Sequence, residues 1–308
     1  MSRSAHRGSP SQGHAASPAD AGGEPANPPR PPRRAPARRA PSRLTPALWT
    51  VALVAVIAAA VQADPVLVAA TVLLVQAQIA VGPHPADARG RTVRAPKVAA
   101  IMTASLVATV LTLWPRSLVG ADGTTAGDIA EVVPGSLVAI VPATAAGLVV
   151  ALLSQMFRRD GRRELVVTAA HAATASLLAA LTVGWITAAR NPLGEESVVL
   201  GAVGVAVGVL LWSLPGDRYL VASIAMAGSA VACALVAQLW GGFFTFTWVF
   251  GLLMGAQVSI GAVLGQVVGR AWGEGRRHAS SGWGFPGAMS VALAAPLVHL
   301  IGQLGVGA

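Results

Sequence analysis

The sequence predicts an all-α integral membrane protein, a polytopic bundle of about nine transmembrane helices preceded by a disordered N-terminal tail. Of its 308 residues, 54% are hydrophobic and only 11% are charged, a composition far too apolar for a water-soluble domain. The apolar residues fall into nine stretches, and about 20 helical residues cross a hydrocarbon core of about 30 Å. The basic residues between these stretches lie almost entirely in alternate gaps, which is typical of a chain that crosses a membrane repeatedly.

Residues 1–43 form the predicted tail. They contain nine prolines and eight arginines but only two acidic residues, and they lack the apolar side chains needed for a core. The run from Pro28 to Arg34 favours an extended proline-rich conformation, which suits either a protein partner or, more simply, the anionic lipid headgroups of the bilayer. No nucleic-acid partner is expected, because the tail lacks aromatic residues for stacking on bases.

Residues 44–308 form the predicted transmembrane bundle. The nine spans are expected near residues 46–62, 66–82, 97–114, 134–157, 165–189, 198–214, 219–240, 243–269 and 285–304. The first two are short, and only Ala63, Asp64 and Pro65 separate them, which predicts a tight hairpin with Asp64 capping the second helix. The alternatives are a pair of helices that does not fully cross the bilayer and a signal peptide cleaved after Ala63.

The basic residues also predict the orientation of the bundle. Outside the tail there are 14 lysines and arginines, and 12 of them lie in gaps that the alternation places on one side. Only Arg116 and Arg190 lie on the other side. Because an excess of lysine and arginine marks the cytoplasmic face, we expect the N-terminus to be cytoplasmic and the C-terminus extracytoplasmic. The composition, rich in alanine, arginine and glycine, suggests a bacterial plasma membrane. All eight tryptophans fall near span ends, as interfacial anchors do.

Four polar residues are expected in the cytoplasmic half of the bilayer. They are Gln78, Gln155, His171 and Gln266. A shared polar cavity is one interpretation, and hydrogen bonds between neighbouring helices are the simpler one. The predicted span interiors contain no aspartate, glutamate, lysine or arginine, which argues against a proton-coupled transporter but leaves uncoupled or sodium-coupled transport open.

The eighth span carries a stripe of mostly small residues. The stripe consists of Gly251, Val258, Ala262, Gly265 and Gly269, which fall on one face of a helix. Small residues allow a neighbouring helix to approach closely. The stripe therefore predicts helix packing, either within the bundle or against a second protein.

The sequence offers little catalytic chemistry. It has no glycine-rich phosphate loop and no histidine or cysteine cluster with ligand spacing, so we expect no cofactor and no metal. The leading hypothesis is a membrane interaction or assembly protein that binds membrane or cytoplasmic proteins through its tail or eighth span. The alternative is a permease for a small molecule or lipid that lacks a buried charged relay. A lipid-modifying enzyme using Asp128 and Glu131 is a distant third.

Overall fold

The computed structural model describes residues 43–83, 97–114, 137–157, 165–239, 247–273 and 284–306. These ranges are helical and contain no strand, which confirms the predicted all-α class. The helices are α1 (Leu44–Val61), α2 (Pro65–Val81), α3 (Lys97–Leu113), α4 (Ile140–Met156), α5 (Leu165–Leu181), α6 (Gly184–Ala189), α7 (Gly194–Trp212), α8 (Arg218–Leu239), α9 (Trp248–Gly273) and α10 (Phe285–Val306). The predicted tail lies outside the described residues except for Arg43.

Seven apolar helical segments in the described ranges are long enough to cross a membrane. Two of them are composite, because a 3-10 turn at Leu137–Ala139 leads into α4 and the segment Leu165–Ala189 contains both α5 and α6. The two shorter apolar helices, α2 and α3, have 17 residues each. The segments fit a membrane bundle, while the count of nine spans stays a prediction.

The first two helices form the predicted hairpin. Asp64 has extended backbone geometry, and its Oδ1 accepts a hydrogen bond of 2.6 Å from the backbone N–H of Val66. Pro65 follows at the first helical position, where its missing N–H costs no hydrogen bond. The predicted cap of α2 is confirmed.

Two helices differ in detail from the predicted spans. The fifth span, predicted near 165–189, is one membrane-length segment, and its helix is interrupted at Thr182 and Val183 between α5 and α6. The sixth span was predicted near 198–214, and α7 begins at Gly194. Glu195 and Glu196 therefore occupy the first turn of α7, where carboxylates interact favourably with the helix dipole.

Basic side chains cap helix ends at opposite ends of the bundle. Lys97 is 1% exposed, and its Nζ donates to the carbonyls of Gly82 and, at 2.8 Å, Pro83, just beyond α2. Arg190 follows α6, and its guanidinium donates to the last carbonyls of α3. Cations are favoured at helix C-termini, where the carbonyls lack intrahelical partners. We call the two ends of the bundle the Lys97 end and the Arg190 end.

Helix α10 occupies the centre of the bundle. Of its membrane-length window, 72% is buried, against 28% for the segment that contains α4. It packs against α1, α2, α5, α6, α7 and α9. Helix α4 packs chiefly against α3 and α5, and only five of its 17 residues are buried. An internal site would therefore be formed by α10 and the helices that contact it.

Candidate functional site

Two of the predicted polar residues, Gln78 and Gln266, hydrogen-bond to α1 at the Lys97 end. The indole N–H of Trp49 donates to Gln78 Oε1 at 3.0 Å, which joins α1 to α2. The next residue, Thr50, accepts a bond of 3.0 Å from Gln266 Nε2, which joins α1 to α9. Arg270 Nη2 lies 3.4 Å from Gln266 Oε1. Adjacent residues of α1 thus connect both glutamines in one interhelical network.

His171 lies in a second contact between helices at this end. Its Nδ1 accepts a hydrogen bond of 3.0 Å from Trp272 Nε1, so α5 is joined to α9. The two rings meet edge to face, with centroids 5.0 Å apart, and Trp272 meets the ring of Phe285 in the same manner. Gly82 lies directly against Phe285, because a Cβ at that position would overlap the phenyl ring. Gln155 is buried in the last turn of α4.

The stripe on α9 is covered by helices of the same chain. A Cβ on Gly251 would lie 2.8 Å from the carbonyl oxygen of Cys233 in α8. Val258 and Ala262 are fully buried, and the Ala262 carbonyl accepts a bond of 2.8 Å from Ser290 in α10.

Further along the stripe, Gly265 and Gly269 lie against α10. A Cβ on Gly265 would overlap the backbone of Ser290, and one on Gly269 would lie 2.5 Å from Pro286 Cα. The stripe therefore lets α9 pack closely against α8 near its start and against α10 near its end.

A buried glutamine occupies the break in the fifth span. Gln76 is fully buried in α2, and its Nε2 donates to the Ala179 carbonyl at 3.1 Å and to Thr182 Oγ1 at 2.9 Å. The break itself consists of tight turns, since the N–H groups of Thr182 and Val183 bond the carbonyls three residues earlier. Gln76 Oε1 is buried and has no hydrogen-bond partner among the described residues. A hydrogen-bond acceptor is thus left open inside the bundle, beside a broken helix.

The start of α6 packs against a second irregular helix. Trp185 is fully buried, and its Nε1 donates a bond of 3.0 Å to the Val291 carbonyl of α10. Its neighbour Gly184 approaches the backbone of Ala295 and Pro296 so closely that a Cβ would lie 2.6 Å from the Ala295 carbonyl carbon. Pro296 lies inside α10 and removes one helical hydrogen bond. Trp185, expected as an interfacial anchor, is instead a core residue.

Other buried polar atoms also lack a hydrogen-bond partner in the part of the chain that the structure describes. They include Ser105 Oγ and Thr109 Oγ1 in α3, Ser176 Oγ in α5, Asn191 Nδ2 before α7 and His299 Nδ1 in α10. In a folded protein most such groups are satisfied, and the exceptions call for a bound water, ion or ligand. No sequence pattern singled out Gln76 or Thr182 as a site residue. The helix break beside them has only a weak marker in the sequence, Gly184 directly after it, because glycine is common in membrane helices.

The charges of the described residues restrict the chemistry at this site. Lys97 is the only one of their acidic, lysine and arginine side chains that is buried, and it lies at the end of the bundle. No group of three histidine, cysteine, aspartate or glutamate side chains in this part of the chain is placed to hold a metal ion. No family model, curated protein or solved structure matches this chain.

Proposed function

We propose that this protein is a nine-pass permease for a small uncharged polar solute in a bacterial plasma membrane. Its N-terminus is cytoplasmic and its C-terminus extracytoplasmic, as the distribution of basic residues predicts. The observation that carries the proposal is the buried Gln76 carboxamide beside the break between α5 and α6, whose Oε1 accepts no hydrogen bond from any described residue.

The break between α5 and α6 interrupts a segment long enough to cross a membrane. Interrupted backbone at membrane depth is tolerated only where it is buried in protein or lines a cavity. Transporters build their binding sites from such discontinuous helices. Here the broken segment packs against α10 beside Pro296, so two irregular helices meet at one place. This meeting point, next to Gln76, is the solute site of the proposal.

The side chains around this point favour an uncharged solute. A buried ion needs a counter-charge, and the described interior offers none away from Lys97. Gln76 Oε1 accepts hydrogen bonds but cannot donate them. A solute with hydroxyl or amide N–H groups would satisfy this oxygen. The hydrogen bonds of Gln78, His171 and Gln266 hold the helices together at the Lys97 end, so they would have to rearrange for the solute to pass.

Osmotic swelling tests this proposal without knowledge of the natural solute. Purified protein in lipid vesicles is mixed with glycerol, urea, neutral amino acids or small sugars, and light scattering reports the rate of entry. We expect at least one solute to enter faster than into protein-free vesicles. Gln76→Leu should abolish the increase, because leucine fills the space but offers no acceptor.

Thr174→Val is the matched control. Thr174 is exposed on α5, and its one hydrogen bond among the described residues goes to the Ala170 carbonyl of the same helix at 2.8 Å, so its loss should leave the entry rate unchanged. An assembly protein, the alternative function, would give no increase with any solute. That result, or a Gln76→Leu variant as active as the wild type, would overturn the proposal.

A further inference from the structure

The outward face of α9 carries a heptad pattern. Its exposed residues from 253 onwards are spaced alternately by four and three positions, as in the seam of a left-handed coiled coil. These residues, which we call the outer seam, are Leu253, Gln257, Ile260, Leu264, Val267 and Ala271. The four large apolar members are between 40% and 58% exposed. The outer seam is separate from the small-residue stripe, which faces α8 and α10.

Gln257 is the only strongly polar residue of the outer seam. It lies nine residues from the start of α9, or about 14 Å along the helix axis, well inside a hydrocarbon core of about 30 Å. Its side chain is exposed and makes no hydrogen bond to the described residues. Lipid tails can neither donate nor accept hydrogen bonds, so facing lipid would leave the carboxamide unsatisfied.

We propose that the outer seam is a dimer interface, and that a second copy of this chain covers it. A carboxamide is self-complementary, because it has both a donor NH₂ and an acceptor oxygen. Across a two-fold axis, the Gln257 side chains of two copies would satisfy each other. A single polar residue at such a core position is known to fix the register and the number of strands in a coiled coil.

The apolar residues of the outer seam also fit a second copy of this chain. Leucine, isoleucine and valine at four-three spacing interdigitate with an identical helix at a crossing angle of about 20°, the common geometry in membrane bundles. A symmetric pair needs only one self-complementary surface. The outer seam does not include Gln76, which lies on α2, so the dimer interface and the solute site are tested by different substitutions.

Cysteine cross-linking in purified vesicles tests the interface. The chain has one cysteine, Cys233, so Cys233→Ala provides a background for single cysteines at Gln257, Ile260 and Val149. Val149 is the control, because it is 54% exposed in the middle of α4 but lies outside the outer seam. Mild oxidation should convert the first two variants to disulfide-linked dimers and leave the Val149→Cys variant monomeric. Cross-linking at all three positions alike, or at none, would overturn the proposal.

Dimer affinity gives a second readout that needs no cysteine. Single-molecule photobleaching of labelled protein, diluted in lipid, measures the dissociation constant of the dimer. Gln257→Leu should raise it roughly tenfold, as expected for the loss of two interhelical hydrogen bonds. Gln257→Asn retains the carboxamide and should recover part of the affinity. A wild-type protein that stays monomeric at every density, or a Gln257→Leu variant that dimerises as tightly, would refute the assignment.

Discussion

Replacing Gly265 by alanine tests whether the small-residue stripe holds the bundle together. A Cβ at this position would overlap the Cα and backbone nitrogen of Ser290. Main-chain atoms cannot rotate away as a side chain can, so α9 and α10 must separate locally. The separation would also weaken the hydrogen bond of 2.8 Å from Ser290 to the Ala262 carbonyl.

The expected size of the effect follows from three opposing contributions. Overpacking costs about 1–3 kcal/mol, and an interhelical hydrogen bond in a membrane protein contributes about 0.6 kcal/mol. Alanine favours the helix over glycine by about 1 kcal/mol, which offsets part of this loss. We therefore expect Gly265→Ala to lower the free energy of unfolding by roughly 0.6–2.6 kcal/mol.

Gly228→Ala in α8 is the matched control for this measurement. Among the described residues, a Cβ there would meet only the Leu211 side chain, and its one close contact is with the terminal Cδ1 atom, which can rotate away. This variant should be neutral or more stable by up to about 1 kcal/mol. Unfolding in mixed micelles, followed by tryptophan fluorescence, compares the two. Equal stability of both variants would refute the close approach of α9 and α10. A change in dimer affinity alone would instead place the stripe at an interface between copies.

Two further substitutions test single contacts in the same unfolding assay. Asp64→Ala removes the cap of α2 and should lower the free energy of unfolding by about 1 kcal/mol, whereas Asp64→Asn should retain most of the stability. Equal losses of stability in these two variants would contradict the capping role of Asp64. Trp185→Phe removes the bond to the Val291 carbonyl and part of a fully buried indole, so it should cost about 1–3 kcal/mol. Its control is Trp248→Phe, because Trp248 is 54% exposed, and this change should alter the free energy of unfolding by less than about 0.5 kcal/mol. Similar losses of stability in the two tryptophan variants would show that Trp185 is not a core anchor.

The helices were predictable from the sequence because membrane spans have a strong local signal. A long apolar stretch identifies a helix without any knowledge of its neighbours, and Asp64 followed by Pro65 identified the start of α2. The break at Thr182 was missed because threonine and valine occur readily in membrane helices. At the break, Thr182 accepts a hydrogen bond from Gln76, which lies more than 100 residues earlier, and apolar spans do not reveal such a tertiary contact.

For the polar network at the Lys97 end, the sequence predicted the location of the residues but not their hydrogen-bond partners. The sequence placed Gln78, His171 and Gln266 in the same half of the bilayer, but their partners are on other helices. Two of those partners, Trp49 and Trp272, carry single N–H donors that look like interfacial anchors in the sequence. Which tryptophan meets which acceptor depends on the order of helices around the bundle, and apolar spans do not specify that order.

Helix α9 shows why burial is hard to predict in a membrane protein. In water, the buried face of a helix is its apolar face, so hydrophobic periodicity reveals the core. In lipid both faces are apolar, and side-chain size and polarity carry the information instead. Glycines at 251, 265 and 269 mark where the backbone of α9 meets neighbouring helices. On the opposite side, Leu253, Ile260 and Leu264 resemble any lipid-facing residues until Gln257 is found among them. A polar residue that faces lipid indicates an interface in the same way that an apolar patch does on a soluble protein.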